Sequence, residues 1–296
     1  MKPTRPSFTA AFVATCRGLA PLLPESAQLA LDPYGLRVLG ERAEQWMSAL
    51  MAAPAPVRAL AWGPMLPMLP WTLYMQVRTR VLDDALRAFL ASGGRQVVIL
   101  GAGFDARGWR MREALGDAIV YEVDHPATAA LKRERFGAHP GVRPLSWNFE
   151  STPMSSLPDA LASLGHRRDQ RTFTLWEGVT MYLTREAFGA TLDAVRAYSA
   201  ARSALAFNYV DRALIDRASI ATSAVRAVVR AVGEPFRLGF SPDELRATLS
   251  EHGFRVESDR GFEERARELL GERWARVVRR GRRIALVERT TTVIAR

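Results

Sequence analysis

The feature that most constrains the fold is a short apolar run that ends at two closely spaced glycines. Residues 96–100 are rich in β-branched and aliphatic side chains, and Gly101, Ala102 and Gly103 follow directly. A continuous apolar run of this length is typical of a strand buried on both faces of a parallel sheet. The glycines permit a tight turn that lets a ligand approach the backbone. The segment therefore predicts the first strand and a ligand-binding turn of an open α/β sheet.

Strand and helix patterns alternate after this turn. Six further apolar runs have the length of strands and occupy residues 118–123, 142–146, 173–176, 203–209, 254–257 and 283–288. Helical patterns begin at about residue 127 and at residue 185, and another over 214–232 follows the fifth strand. Such alternation predicts a mostly parallel sheet with helices on both faces. We therefore predict an α/β, Rossmann-like fold with seven strands and a helical insertion at about 211–240.

The first 92 residues are predicted to form a helical extension. Apolar residues recur at helical spacing in three segments, over 8–19, 36–51 and 71–90. The apolar stretch 59–75 is interrupted by three prolines, which argues against a membrane span. We expect it to form the wall or lid of a pocket, together with the N-terminal helices and the segment 214–232. Residues 1–296 are interpreted as one domain, with the sheet core in 93–296.

Charge and cysteine content favour a cytoplasmic protein that does not act on nucleic acid. Cys16 is the only cysteine, so an internal disulfide is excluded and a reducing compartment is favoured. The apolar run over 10–14 is too short for a signal peptide. The net charge is +10, but the arginines are scattered, with one denser group over 273–283 and no interleaved aromatic platform. The four histidines lack zinc-site spacing, so no metal is predicted.

Asp124 is the first candidate ligand-binding side chain. It lies 23 positions after Gly101, at the end of the second predicted strand. A carboxylate at this point can accept hydrogen bonds from both hydroxyls of a nucleoside ribose. The combination of a glycine turn and this acid occurs in nicotinamide and flavin enzymes and also in methyltransferases. An NAD(P)-dependent oxidoreductase is therefore one of the functions that these two features allow.

Several ordered motifs extend beyond the glycine turn and narrow this choice. They occupy residues 7–10, 17, 32–34, 78–84, 98–107, 121–126, 176–183 and 238–245. In these motifs the chain resembles the leucine carboxyl methyltransferase family, whose relatives include bacterial polyketide O-methyltransferases. The resemblance implies a class I methyltransferase that uses S-adenosylmethionine to methylate an oxygen. A protein that keeps the fold and binds S-adenosylmethionine without catalysis is the second alternative.

The resemblance also implies roles for individual residues. Arg78 corresponds to the family arginine that binds the methionine carboxylate, and a guanidinium suits that group because it presents parallel donors. If the register differs, Arg80 takes this role. Glu177, at the end of the fourth predicted strand, corresponds to the glutamate near the methionine amino group. Asp105 and Arg107 are expected to pair and to brace the loop without contacting substrate.

The chain departs from the family pattern after the third predicted strand. The family usually has an aspartate beside the adenine, whereas this chain has Asn148 followed by Phe149. The asparagine oxygen can still accept from the adenine amino group, although less strongly than a carboxylate. His125, directly after Asp124, is a further candidate. The predicted cofactor-binding residues are Arg78, Gly101, Ala102, Gly103, Asp124, His125, Asn148, Phe149 and Glu177.

The acceptor is predicted to be a small, largely apolar molecule with a carboxylate or an acidic hydroxyl group. No general base is evident in the sequence, and an ionised carboxylate requires none. The expected pocket wall is rich in apolar side chains, namely Trp62, Met65, Leu66, Met68, Leu69 and Trp71. No catalytic residue is assigned.

Overall fold

The fold was obtained as a computed structural model that describes residues 7–216, 236–277 and 282–289. Most of the helical pattern predicted over 214–232, and with it most of the predicted insertion, therefore lies outside the described residues. The remaining predictions for strands and helices fall within them.

The core is one sheet of seven strands. They are β1 (Gln96–Leu100), β2 (Ile119–Asp124), β3 (Val142–Ser146), β4 (Thr172–Trp176), β5 (Ala204–Val210), β6 (Phe254–Gly261) and β7 (Arg282–Arg289). Their order across the sheet is β3-β2-β1-β4-β5-β7-β6. β7 runs antiparallel to β5 and β6, whereas the pairs among β1 to β5 are parallel. The predicted mostly parallel, seven-stranded α/β sheet is confirmed.

Helices surround this sheet. Those of the N-terminal part are α1 (Phe8–Gly18), α2 (Glu41–Ala52), α3 (Ala55–Met65) and α4 (Leu69–Ala91). The others are α5 (Arg107–Arg110), α6 (Arg112–Leu115), α7 (Pro126–Phe136), α8 (Leu157–Ser163), α9 (Arg185–Tyr198), α10 (Arg212–Asp216), α11 (Pro242–Glu251), α12 (Phe262–Leu270) and α13 (Glu272–Ala275). None of the helices in the described residues is both long and apolar enough to traverse a lipid bilayer.

The central strand is buried on both faces, as its continuous apolar sequence predicts. Val97 and Ile99 pack in one hydrophobic cluster with residues of α4, whereas Val98 and Leu100 pack in a second cluster on the opposite face with residues of α9 and α11. Helix α4 thus covers one face of the sheet. It is not a detached part of an N-terminal extension, and this packing carries its middle turn to the carboxyl edge of the strands.

One predicted N-terminal helix is divided in two. The helical pattern over 36–51 suggests a single helix, but a short 3-10 helix at Arg37–Leu39 ends at Gly40 and α2 begins at Glu41. Gly40 has a φ of +96°, in the left-handed region that favours glycine. The apolar periodicity continues across this break, so periodicity alone did not reveal it.

Candidate functional site

A cavity of about 370 Å³ opens at the carboxyl edge of the sheet, where β1, β2 and β4 end. All nine residues predicted to bind a cofactor line it, namely Arg78, Gly101, Ala102, Gly103, Asp124, His125, Asn148, Phe149 and Glu177. In open α/β sheets, ligands bind outside the carboxyl ends of the strands. The fold therefore brings together residues that are separated by up to about one hundred positions in the sequence.

The turn after β1 requires glycine at two positions. Gly101 and Gly103 have φ angles of +66° and +52°, which side-chain-bearing residues rarely adopt. A Cβ atom at position 101 would lie 2.5 Å from Cγ2 of Val179. A larger residue at position 101 would therefore be strained and would displace the loop that follows β4.

Asp124 ends β2, and its carboxylate faces the cavity with spare accepting capacity. Its Oδ1 accepts a hydrogen bond from the backbone N–H of His125 at 2.6 Å, and its Oδ2 accepts one from the N–H of Gly103. Because each carboxylate oxygen can accept more than one hydrogen bond, both can still bind a ligand hydroxyl. Burial raises the pKa of this carboxyl, and the two backbone donors oppose that effect.

His125 is a buried residue with a fixed tautomer. Its Nδ1 accepts a hydrogen bond from the N–H of Ala127 at 3.2 Å and so caps the N-terminus of α7. The proton of the neutral ring must then be on Nε2, which can donate a hydrogen bond but cannot accept a proton. The ring can therefore bind a ligand as a donor, and it is not suited to be a general base.

Asn148 uses its side-chain oxygen within its own loop. Oδ1 accepts a hydrogen bond from the N–H of Glu150 at 3.0 Å, the geometry of an Asx turn. The oxygen keeps one accepting position for a ligand, and an aspartate could form the same turn. Phe149 is half-buried beside it and lines the same cavity.

The other end of the cavity is bounded by buried ion pairs that we call the arginine–carboxylate cluster. It consists of Arg17, Arg78, Arg107, Arg110, Asp83, Asp105 and Glu177. These seven residues comprise four guanidinium groups and three carboxylates, so one positive charge is left over. Asp32 is buried nearby; burial raises the pKa of its carboxyl, and Arg110 and Arg17 oppose that rise. The excess of positive charge among the seven residues of the cluster favours an anionic ligand group at the cavity.

Glu177 joins three arginines of this cluster. Its Oε1 lies 2.6 Å from Nε of Arg78 and pairs with Arg17, while its Oε2 lies 2.8 Å from Nη1 of Arg107. Burial alone would raise the pKa of this carboxyl, but the three guanidinium groups hold it well below its usual range. Glu177 is therefore ionised and orients the arginines that face the cavity.

Arg107 braces the glycine loop, as predicted, and it also pairs with carboxylates outside that loop. Its side chain pairs with Asp105, its Nε donates to Oδ1 of Asp83 at 2.8 Å, and its Nη1 reaches Glu177. Arg110 binds the same Asp83 at 2.5 and 2.8 Å. The cluster thus ties α4, the loop after β1 and the end of β4 together.

The structure distinguishes the two candidate arginines of α4. Arg78 is buried and lines the cavity, whereas the side chain of Arg80 is 40% exposed and pairs with Asp84 on the surface. Arg17 of α1 also lines the cavity, although it was not among the predicted cofactor-binding residues. Two features of the sequence could have indicated Arg17 as a site residue. It belongs to a family-like motif, and it is a charged residue in an otherwise apolar helical pattern.

The expected wall of apolar residues lies elsewhere. Of the described side chains in the segment 62–71, none lines the cavity; Trp71 packs against Phe12 and Tyr74, and Leu66 is exposed to solvent. Pro64 lies within α3. The apolar part of the cavity wall comes instead from Val13, Ala14, Phe149, Val179 and Leu183.

The cavity wall offers little for proton abstraction. Among the described residues, four carboxylates line it, namely Asp105, Asp124, Glu150 and Glu177. Two of these are paired with arginines, Asp124 accepts two backbone N–H groups, and Glu150 is at the exposed rim. The buried part of the described wall therefore lacks a carboxylate or imidazole that is free of other partners. Nor do His, Cys, Asp and Glu side chains gather anywhere in the described residues in a group that could hold a metal ion.

The sequence of the chain matches a known protein family over nearly two thirds of its length. Residues 10–196 match the sequence model of the leucine carboxyl methyltransferase family. A provisionally named S-adenosyl-L-methionine-dependent methyltransferase of Streptomyces coelicolor is 36% identical over 208 residues, which is 68% of this chain and 64% of that protein. One of Mycolicibacterium gilvum is 38% identical over 168 residues, 55% of this chain and 50% of that protein. The chain thus spans about half to two thirds of the length of these curated relatives.

A solved structure shares the fold. It is that of a provisionally assigned methyltransferase from Thermobifida fusca, with a TM-score of 0.57 and 16% sequence identity. The superposition covers 88% of this chain and 94% of the other. At this identity the likeness concerns the arrangement of strands and helices.

Proposed function

Because the chain belongs to the leucine carboxyl methyltransferase family, we propose that it transfers the methyl group of S-adenosylmethionine to an oxygen of a small acceptor. The observation that carries the proposal is that one cavity has a carboxylate with accepting positions left, Asp124, and two buried arginines, Arg17 and Arg78, that share the single carboxylate of Glu177. S-adenosylmethionine presents ribose hydroxyls and a methionine carboxylate, which are complementary to these two groups.

The residues of the cavity suit this cofactor at each end. Asp124 accepts from the ribose hydroxyls with the accepting positions that its backbone donors leave. Arg17 and Arg78 bind the methionine carboxylate, and Nε of Arg17 is a buried donor without a hydrogen-bond partner among the described residues. A buried donor of this kind is costly to leave unpaired, so a ligand oxygen there is favourable. Asn148 and Phe149 border the adenine.

The contribution of the chain to the reaction is to bind, orient and exclude water. The sulfonium of S-adenosylmethionine supplies a methyl group that is already activated for displacement. The chain then needs to hold the acceptor oxygen within about 3 Å of that carbon, which lowers the barrier by prior orientation. Apolar side chains such as Val13, Val179 and Leu183 limit the access of water to the cavity.

We propose an acceptor that is ionised before it binds, either a carboxylate or an acidic hydroxyl group. Support comes from the buried cavity wall, whose described carboxylates are engaged with arginines or backbone amides and whose His125 nitrogen can only donate. An acceptor that is already an anion needs no general base. The largely apolar lining favours a small, mainly apolar molecule over nucleic acid, and we place the protein in the cytoplasm.

Two measurements test this function. Calorimetric titration should give binding of S-adenosylmethionine and S-adenosylhomocysteine, and none of NADH, which an oxidoreductase would bind. Transfer of labelled methyl groups into a cell extract, separated into organic-soluble, protein and nucleic-acid fractions, should label the organic-soluble fraction. Label in RNA or DNA would contradict the proposed acceptor, and binding without any transfer would indicate a non-catalytic protein.

The variant Arg78→Ala is expected to weaken S-adenosylhomocysteine binding by about ten- to a hundredfold, because hydrogen bonds between charged groups contribute about 1.5–3 kcal/mol each. Arg80→Ala, on the exposed face of the same helix, is the matched control and should leave the affinity unchanged. Calorimetry on both variants checks this. A loss in Arg80→Ala with none in Arg78→Ala would move the assignment by two positions.

The variant Asn148→Asp is expected to tighten cofactor binding by about threefold to tenfold. A carboxylate accepts a hydrogen bond from the adenine amino group more strongly than an amide oxygen does. Aspartate also preserves the turn in which the side chain accepts from the N–H of Glu150. Binding of S-adenosylhomocysteine to Asn148→Asp and to the control Asn148→Ala checks this. Weaker binding by the aspartate variant than by the wild type would place residue 148 away from the adenine.

A further inference from the structure

A second cavity, of about 170 Å³, lies on the other side of the glycine turn. It shares Ala102, Gly103 and Asp124 with the first cavity, so these residues separate the two. Its opposite wall includes Glu122 of β2 and Lys132 of α7. Asp124 is therefore positioned between the proposed cofactor site and a cavity that contains a buried cation.

Lys132 and Glu122 form a buried ion pair in this second cavity. Their exposed fractions are 4% and 5%, and Lys132 Nζ lies 2.7 Å from Oε2 of Glu122. Nζ also lies 5.2 Å from the ring centroid of Trp109, a favourable position for a cation. Oε1 of Glu122 has no hydrogen-bond partner among the described residues. Since burying two charges is costly, packing alone does not account for an ammonium group at this place.

We propose that Lys132 is a positioning residue for the cofactor site: it shares a cavity with Asp124 behind the glycine turn, where its positive charge favours a carboxylate at Asp124 and Glu122 holds the ammonium group in place. The proposal rests on the proposed function only in that Asp124 binds the ribose. An ionised carboxylate accepts hydrogen bonds at both oxygens, whereas a protonated one has turned one of them into a donor.

Several groups act on the Asp124 carboxyl. Burial raises its pKa, and the N–H groups of His125 and Gly103 and the charge of Lys132 oppose that rise only in part. Burial also raises the pKa of Glu122, and Lys132 opposes that shift as well. The other titratable or charged groups that face the two cavities are Arg17, Arg78, Asp105, His125, Arg133, His139, Glu150, Glu177, Tyr182 and Arg237.

The first test measures the titration of Asp124 in the protein without ligand. Carboxyl ¹³C resonances of aspartate-labelled protein are followed with pH, and the variant Asp124→Asn identifies the resonance. We expect Lys132→Met to raise the midpoint by about one pH unit, because a neighbouring positive charge has been removed. Glu122→Gln should lower it, because the lysine remains and a neighbouring negative charge is gone. Lys132→Arg should leave the midpoint close to that of the wild type.

Opposite shifts in the two variants separate an electrostatic role from a merely structural one. A disturbed fold would move both midpoints in the same direction or broaden both titrations. An unchanged midpoint in Lys132→Met overturns the proposal. If Lys132→Met does not fold, Glu122→Gln decides the question alone, and a midpoint that is unchanged or raised in that variant overturns the proposal.

The second test measures the affinity for S-adenosylhomocysteine between pH 5 and pH 9. A carboxylate that must be ionised binds the ribose above its pKa, so affinity falls as the pH decreases through that value. In Lys132→Met this fall should begin at a higher pH, while the affinities of variant and wild type converge towards pH 9. A loss of equal size at every pH contradicts the proposal. If the wild type binds no S-adenosylhomocysteine, the proposed function fails, and the titration of Asp124 still tests the role of Lys132.

Discussion

Replacing Arg107 by methionine is expected to lower the free energy of unfolding by about 3–5 kcal/mol, the range for breaking a buried ion pair. The side chain is 1% exposed and contacts Asp83, Asp105 and Glu177. Methionine fills a similar volume, so the cost arises from the carboxylates and not from a cavity. Asp83 keeps Arg110 and Glu177 keeps two arginines, but Asp105 loses its direct guanidinium partner. Denaturant unfolding followed by circular dichroism measures the change.

The matched control for this prediction is Arg80→Met. Arg80 pairs with Asp84 at 2.7 Å, but both side chains are exposed, and such pairs contribute about 1 kcal/mol or less.

The difference in the free energy of unfolding between wild type and Arg107→Met should also depend on pH. Arginines hold the pKa of Asp83 and of Glu177 below their usual ranges, against the effect of burial. Stability from such carboxylates is present above their unfolded-state pKa and is lost as the pH falls towards the folded-state value. Equal destabilisation by Arg107→Met and Arg80→Met would show that the buried cluster contributes no more to the free energy of unfolding than an exposed ion pair does.

The sheet could be predicted from local sequence because its strands are short, apolar and bounded by turn residues. Each predicted strand is present. The bounds agree for β1 and β3, they differ by one residue at one or both ends for β2, β4, β5 and β7, and β6 extends four residues beyond its predicted end. β6 continues to Gly261, beyond the apolar run that ends at residue 257, because its pairing with β7 extends past an irregularity between Val256 and Ser258. The length of β6 is set by its backbone pairing with β7, which the local hydrophobicity of the sequence does not reveal.

The packing of the N-terminal helices was predicted less well than the sheet, because one pattern of apolar residues is compatible with several ways of packing a helix. The segment around Pro64 has the composition of a pocket wall, yet its described side chains lie away from the cavity. Helix α4 has a comparable pattern but packs on the sheet through residues such as Leu73 and Val77. Which helix faces the strands is decided by tertiary packing, and the periodicity of one segment carries no information on that packing.

The strand-end residues of the site and the Asp105–Arg107 pair could be predicted, whereas the ion pairs of Glu177 could not. Gly101, Asp124 and Glu177 follow strands that end at one edge, so topology alone brings them together. The resemblance identified Arg78 as well. The pairing of Glu177 with Arg17, by contrast, joins residues 160 positions apart and depends on how α1 packs. The use of the Asn148 oxygen within its own loop likewise became clear only from the backbone.

Loss of the Asp124 carboxylate is expected to weaken S-adenosylhomocysteine binding on the order of a hundredfold or more. Two charge-assisted hydrogen bonds to ribose hydroxyls would be lost, each contributing about 1.5–3 kcal/mol. The variant Asp124→Ala also removes the acceptor of the Gly103 N–H, so the glycine turn loses a bond that holds its shape. Asp124→Asn keeps one acceptor oxygen and should give an intermediate loss. Calorimetry at pH 8 measures all three proteins.

The control for this prediction is Asp117→Ala, at the edge of the sheet opposite to Asp124. Asp117 precedes β2, its side chain is 83% exposed, and it pairs with Arg95 at 2.9 Å. Asp117→Ala removes a carboxylate from the surface, so we expect it to leave the cofactor affinity unchanged. The free energy of unfolding should change by no more than about 1 kcal/mol. The comparison separates the position of the charge from the loss of charge, because both variants raise the net charge equally. Undiminished affinity in Asp124→Ala would mean that the ribose binds elsewhere, and with it the central argument for a methyltransferase site at this edge would fail.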